Sequence, residues 1–137
     1  MKKLFLLLPL LSGCVIPIIA PVPQSTFANP LLANQWQITE ANGERIENTS
    51  ATLLLRKDRY FSAETDCNNL MGSYSLSGNY ELNFAMPAST RMSCRDMRNE
   101  VLISAALPKV NSYRLIGTGI EMLDKNRQPV LRAIPKQ

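Results

Sequence analysis

Short apolar runs, each closed within a few residues by a turn-forming pair, leave this chain little room for anything but small β-strands. From Gln35 to Thr39, Trp36 and Ile38 alternate with polar neighbours, the pattern of a half-buried strand. Asn42-Gly43 follows, and this pair favours a type I′ hairpin turn because both central residues need positive φ. Runs at Thr52 to Arg56 and Arg59 to Ala63 are parted by Lys57-Asp58. Runs at Ser73 to Leu76 and Tyr80 to Phe84 flank Ser77-Gly78-Asn79. Three more lie at Ser112 to Ile116, Ile120 to Asp124 and Val130 to Ile134, with Gly117-Thr118-Gly119 and Lys125-Asn126-Arg127 between them. The rhythm changes once. Asp96 suits a helix start, Pro108 and Lys109 lie past its end, and Met97, Val101, Ala105, with Leu102 and Ala106, recur at helical spacing. The sum is a mainly β (α+β) chain: a small curled antiparallel sheet or barrel of about eight short strands, with one helix covering an opening.

The N-terminus addresses location. Met1-Lys2-Lys3 is positive, and Leu4 to Leu11 is apolar apart from Pro9. That run is well short of the roughly 20 residues needed to span a bilayer as a helix, but it suits a signal-peptide core. Leu11-Ser12-Gly13-Cys14 then reads as a lipobox: small residues let the peptidase grip extended backbone, and the thiol takes the lipid. The competing reading is an ordinary secretory signal with a chance cysteine. The expected organisation is a signal peptide over 1–13, a lipidated Cys14 with a Pro-rich tether over 14–33, and one domain over 34–137. Pro17, Pro21, Pro23 and Pro30 deny the tether regular hydrogen bonding. Val15, rather than aspartate, after the lipidated cysteine lets the protein leave the inner membrane where the sorting rule of enteric bacteria applies, and the expected location is the outer membrane, facing the periplasm. The expected partner is therefore a membrane, engaged through the N-terminal lipid.

Export would remove Lys2 and Lys3, leaving 13 basic residues against 11 acidic ones. A mature chain so nearly balanced gives no reason to expect nucleic acid as a partner. Cys67 and Cys94 remain once Cys14 is acylated, and an even pair in an oxidising compartment reads as a disulfide; two buried free thiols are the alternative.

The chain contains no histidine. That excludes Ser-His-Asp and Cys-His catalysis and His-ligated zinc. No Ser-x-x-Lys, Gly-rich phosphate loop or Cys-x-x-Cys occurs either. No catalytic residue, metal site or cofactor is expected. Glu64, Asp66, Asn68 and Asn69 supply oxygen ligands of a calcium type, but without EF-hand spacing they read better as turn formers. Arg91, Asn68 and Asn69 are weak candidates for a partner contact. Arg91 is more simply a structural arginine near the disulfide, and Arg91, Arg95 and Arg98, interleaved with Asp96 and Glu100, read as a solvated helix face. Trp36, Tyr60, Phe61, Tyr74, Tyr80 and Phe84 are expected to be mostly core.

Trp36-Gln37-Ile38, Gly43, Cys67-Asn68, Gly72-Ser73-Tyr74 and Thr90-Arg91-Met92-Ser93-Cys94 stand in a telling order. With Glu100, Leu107, Val110, Tyr113 and Gly117 after them, the chain resembles the META-domain family, which includes the HslJ heat-shock lipoproteins, from Trp36 to about Arg132. It departs at Asp66, where the family usually has glycine, and at Leu55, where it often has an aromatic residue. Aspartate tolerates fewer loop conformations than glycine, so the first departure puts that loop's shape in question. The resemblance implies a compact, mainly β fold and an envelope location. For the HslJ branch it also implies links to heat stress and novobiocin tolerance, with no known reaction. The expected function is a non-catalytic, monomeric envelope lipoprotein with a stress-related supporting or binding role and no identified protein partner. The alternative is a periplasmic inhibitor of a secreted enzyme such as lysozyme or a protease.

Overall fold

The computed structural model describes residues 13–15, 29–47 and 50–137. The expected signal peptide, apart from Gly13, and most of the tether lie outside the described residues. Cys14 lies within them and is exposed. No helix among the described residues is long and apolar enough to cross a membrane.

Among the described residues, two helices, a 3₁₀ turn and ten strands follow in order: α1 (Pro30–Ala33), β1 (Gln35–Ala41), β2 (Glu44–Arg45), β3 (Thr52–Leu55), β4 (Tyr60–Glu64), β5 (Asn69–Ser77), β6 (Glu81–Phe84), β7 (Ala88–Ser89), α2 (Arg98–Ala106), the 3₁₀ turn (Leu107–Lys109), β8 (Ser112–Ile116), β9 (Gly119–Leu123) and β10 (Pro129–Pro135). The strands pair antiparallel in the order β10-β9-β8-β6-β5-β4-β3-β1-β2, β7 adds to β5, and β10 also pairs with β1. The sheet is therefore curled and ring-like without being a barrel. Its weakest join is between β6 and β8, which share the single pair Glu81↔Ser112. The expected hairpins form. Asn42 and Gly43 take φ of 51° and 78°, the two left-handed positions that a type I′ turn demands.

Strand alternation sends one set of side chains into the curl. Trp36 and Ile38 of β1, Leu53 and Leu55 of β3, Phe61 of β4, Leu70 of β5 and Leu82 of β6 are all buried there. Phe61 meets Phe84 edge to face at 5.0 Å. Its ring also fills the space beside Gly72, where a Cβ would come within 3.0 Å of it, so the glycine leaves room for the ring to lie over β5. Of the six aromatics expected in the core, Trp36, Phe61, Tyr74 and Phe84 are buried, whereas Tyr60 and Tyr80 are exposed.

Two expectations need correction. Residues 30–33 were assigned to the tether, yet Pro30–Ala33 forms a helical turn that belongs to the packed domain. Leu31 is fully buried and its carbonyl accepts the indole N–H of Trp36 at 3.1 Å. Proline is tolerated here because it stands at the first helical position, where its missing N–H has no intrahelical partner to lose. Helix α2 also buries only part of the set its apolar spacing marks: Ala106 is buried and Leu102 packs against the core, but the rest of that set turns outward or lies at the edge. Val101 is 62% exposed and Ala105 is exposed, whereas Asn99, Glu100, Ile103 and Ala106 turn inward. Asp96 lies one residue before the N-cap Met97, but its carboxylate still accepts the N–H of Arg98 at 2.9 Å.

On β8, β9, β10 and β1, Arg114, Glu121, Arg132 and Glu40 face one another across strands in register. Glu121 receives Arg114 at 3.2 Å and Arg132 at 3.5 Å, and Arg132 also holds Glu40 at 2.7 Å. The hydrogen bond to Glu40 is the largest of several effects that raise the pKa of Arg132.

Candidate functional site

The two most distinctive motifs meet at the disulfide. Cys67 lies just before β5 and Cys94 in the segment ahead of α2. Their Cα atoms are 5.9 Å apart, well inside the range a disulfide allows, and the bond closes a separation of 27 residues. Beside it, Asn68 is buried with its whole amide in use. Its N–H₂ group donates to the carbonyl of Met92 at 3.1 Å and to Glu100 Oε2 at 2.9 Å. Its oxygen accepts from Thr90 Oγ1 at 2.9 Å and from the N–H of Met92 at 2.7 Å. The side chain thus clamps the start of β5, the 90–94 segment and α2 together.

The turn that presents Asn68 is local chemistry. Thr65 Oγ1 accepts the N–H groups of Cys67 and Asn68 and donates to the carbonyl of Asn68 at 2.6 Å. Threonine hydroxyls stabilise such turns by standing in for backbone partners. On the other flank, Asn99 of α2 donates to Asp66 Oδ2 at 2.5 Å and to the Glu47 carbonyl at 2.8 Å, and Ser50 donates to the other oxygen of Asp66. Asp66 does not stand in the left-handed region, so aspartate costs nothing at a position where the resemblance led one to expect glycine.

The sequence-predicted residues separate accordingly. Asn68 is structural and withdrawn from the surface, so it cannot meet a partner directly. Asn69 and Arg91 are exposed, and Arg91 makes no ion pair among the described residues. Arg98 is committed to Glu44 at 2.6 Å, so the basic run is partly neutralised. The four candidate oxygen ligands do not converge. Glu64 is engaged by Thr52, Asp66 by Asn99, Asn68 by Glu100, and Asn69 binds Thr90 through its backbone. Among the described residues no three His, Cys, Asp or Glu side chains gather in a way that would hold a metal. Nor does any buried side-chain polar atom there lack a partner, so the cluster is a closed structural network rather than a cradle awaiting a ligand. Sequence reasoning missed Asn99 and its bond to Asp66. Nothing local distinguishes an asparagine that will be buried from one on a solvated helix face.

The META domain model matches residues 29–136, most of the chain. The chain belongs to the META-domain family. The match starts at Asn29, the residue whose side chain caps the Pro30–Ala33 turn, and so takes in the segment that the structure adds to the domain. None of the curated proteins compared matches the chain. Among solved structures, this META domain is similar in fold to a DUF4847-family protein from Bacteroides vulgatus (TM-score 0.57, 11% identity, 76% of this chain and 93% of that one). It is also similar to a protein from Burkholderia xenovorans (TM-score 0.59, 23% identity, 80% of this chain and 89% of that one). At such identities the likeness speaks for the fold alone.

Proposed function

We propose that this META domain is the folded part of a non-catalytic envelope lipoprotein with a stress-related supporting or binding role, held through Cys14 at the outer membrane on its periplasmic side. One combination carries the reading: a META domain closed by a disulfide, preceded by a lipobox whose cysteine is exposed and takes no part in the disulfide. A disulfide-stapled domain fits an oxidising compartment. Two or three acyl chains give stable anchoring, since each buried methylene contributes about 0.8 kcal/mol. Heat and novobiocin tolerance are the conditions under which the role is sought.

The test is metabolic labelling with palmitate in cells making the wild-type chain or Cys14→Ser, followed by membrane fractionation. Wild type incorporates label and sediments with the outer membrane; the variant remains an unlabelled precursor. Equal labelling of the two rejects the anchor. A deletion strain should lose heat or novobiocin tolerance and recover it with wild type, but not with Cys14→Ser. Tight co-purification of a lysozyme or protease, with tolerance unaffected, would replace the supporting role by inhibition.

A further inference from the structure

Away from the disulfide, a cavity of about 380 Å³ opens at the weak join of the sheet, lined by Asn79, Tyr80, Tyr113, Arg114 and Arg127 among others. Its construction follows from the pairing. β6 and β8 are paired only at Glu81↔Ser112, and before Glu81 the chain turns back toward β5 while β8 runs on to Ile116. The strands part there. The backbone N–H of Tyr113 donates to the Tyr80 carbonyl at 3.0 Å and fixes the floor of the gap. The Tyr80 and Tyr113 rings meet edge to face at 5.4 Å, the first exposed and the second buried.

Two further observations point to a ligand. Tyr80 and Arg127 take φ of 59° and 61°, each closing its own hairpin turn. Glycine or asparagine fills such positions most easily, and a bulky side chain there is held at a cost. Two such residues, from different hairpins, converge on one cavity, and strained residues of this kind tend to gather at binding sites. The second observation is charge. The lining has two guanidinium groups and no carboxylate. Arg114 is paired with Glu121 at 3.2 Å, but Arg127 makes no ion pair among the described residues. Asp124, in the same turn as Arg127, directs its carboxylate at the N–H groups of Asn126 and Gln128. Glu81 is engaged by Ser77. The cavity therefore presents one free positive charge, phenol rings, and the polar side chains of Asn79 and Ser112.

We propose that this cavity binds an anionic hexose, with the sugar ring against the exposed Tyr80, which Tyr113 backs from below, and its phosphate or carboxylate on Arg127. Aromatic rings accept the C–H faces of a sugar, while amide and hydroxyl groups meet its hydroxyls. A guanidinium pairs with phosphate or carboxylate through two parallel hydrogen bonds. The cavity is also within the size range of small-molecule sites. The ligand could be a free sugar phosphate or a sugar acid within a glycan; both offer the same ring and charge.

The test is titration of the full-length, isotope-labelled chain in detergent solution, followed by amide chemical shifts. Glucose 6-phosphate probes the free sugar phosphate, and the methyl glycoside of glucuronic acid probes the glycan residue. Glucose and inorganic phosphate are the controls. Saturable shifts at Tyr80, Tyr113 and Arg127 with either anionic sugar support the site, and the tighter of the two names the source. Arg127→Asn and Tyr80→Asn should each weaken binding about tenfold or more. Both should keep the wild-type denaturation midpoint or raise it, because asparagine tolerates the left-handed conformation. No shift with either sugar overturns the proposal. So does undiminished binding in both variants, or binding of inorganic phosphate as tight as that of the sugars. If either asparagine variant fails to fold, Arg127→Lys, which keeps the charge but loses the bidentate fork, decides: unchanged affinity for the anionic sugars counts against the assigned contact.

Discussion

At the scale of single residues, Asn68 carries the heaviest structural duty. Its amide bonds Glu100, Met92 and Thr90 in a buried setting, and its removal would leave several of these groups without a partner. Unsatisfied buried polar groups cost about 1–3 kcal/mol each. Asn68→Ala should therefore lower stability by about 2–4 kcal/mol in urea unfolding, and a loss below about 0.5 kcal/mol, the level of an ordinary surface substitution, would show that the clamp is dispensable. Tyr74 offers a pH test. Burial raises its pKa above 10.0, and the nearby Arg59, whose guanidinium lies 5.9 Å from the ring centroid, opposes the shift without cancelling it. A group with a raised folded pKa stabilises the fold fully below its unfolded pKa. That contribution falls away as pH rises through 10 toward the folded value. Tyr74 should ionise above the ordinary range when phenolate absorbance is followed. Tyr74→Phe should remove that late step, and retention of the step in the variant would assign it elsewhere.

Among the elements, α2 shows how a helix can bury only part of what its apolar spacing marks, and fill the rest of its inward face with polar residues. Its inward face starts with Asn99 and Glu100, each satisfied by partners from other segments, and continues with Ile103 and Ala106. Ile103 is fully buried and Val101 is 62% exposed. Ile103→Ala should cost about 2–5 kcal/mol through lost burial and a residual cavity. Val101→Lys should change stability by no more than about 0.5 kcal/mol. Thermal unfolding of the two variants side by side decides which of the two residues is inside; the reverse ranking would put Val101 in the core. In β1 the alternation of Trp36 and Ile38 forecast which residues point inward, because a sheet covered on one side needs only a period of two, whereas β3 and β9 bury consecutive residues.

For the molecule as a whole, the disulfide joins the start of β5 to the approach of α2, and so ties the sheet to the helix that packs against it. With 27 residues between its cysteines, it should contribute roughly 3–4 kcal/mol by restricting the unfolded chain. Cys67→Ser with Cys94→Ser should melt lower yet keep the same far-ultraviolet circular dichroism, since the curled sheet has a core of its own. In the unacylated chain, one thiol, that of Cys14, should react under native conditions, and three after unfolding and reduction. Three reactive thiols in the native, unreduced protein would contradict the bond.

Much of the architecture could be read along the chain because its causes are local. Asn42-Gly43 dictates its turn through backbone sterics, alternation marks the inward face of Gln35 to Thr39, and two cysteines remain to pair once Cys14 is set aside. What required the tertiary structure depends on distant partners. Leu31 reads as tether until the indole N–H of Trp36 and the core claim it. Glu100 reads as solvated until Asn68 and Ser89 satisfy it, and nothing in the sequence singles out Asn99 before Asp66 meets it, for burial of a polar group is decided by whether partners meet it. The cavity between Tyr80 and Arg127 was invisible because it arises where β6 and β8 part, and the order in which strands meet is a property of the closed sheet. Sequence alone determined eight of the ten strands, their turns and the candidate lipid attachment; only the fold added the two-residue strands β2 and β7 and decided which polar residues are structural and which are free to bind.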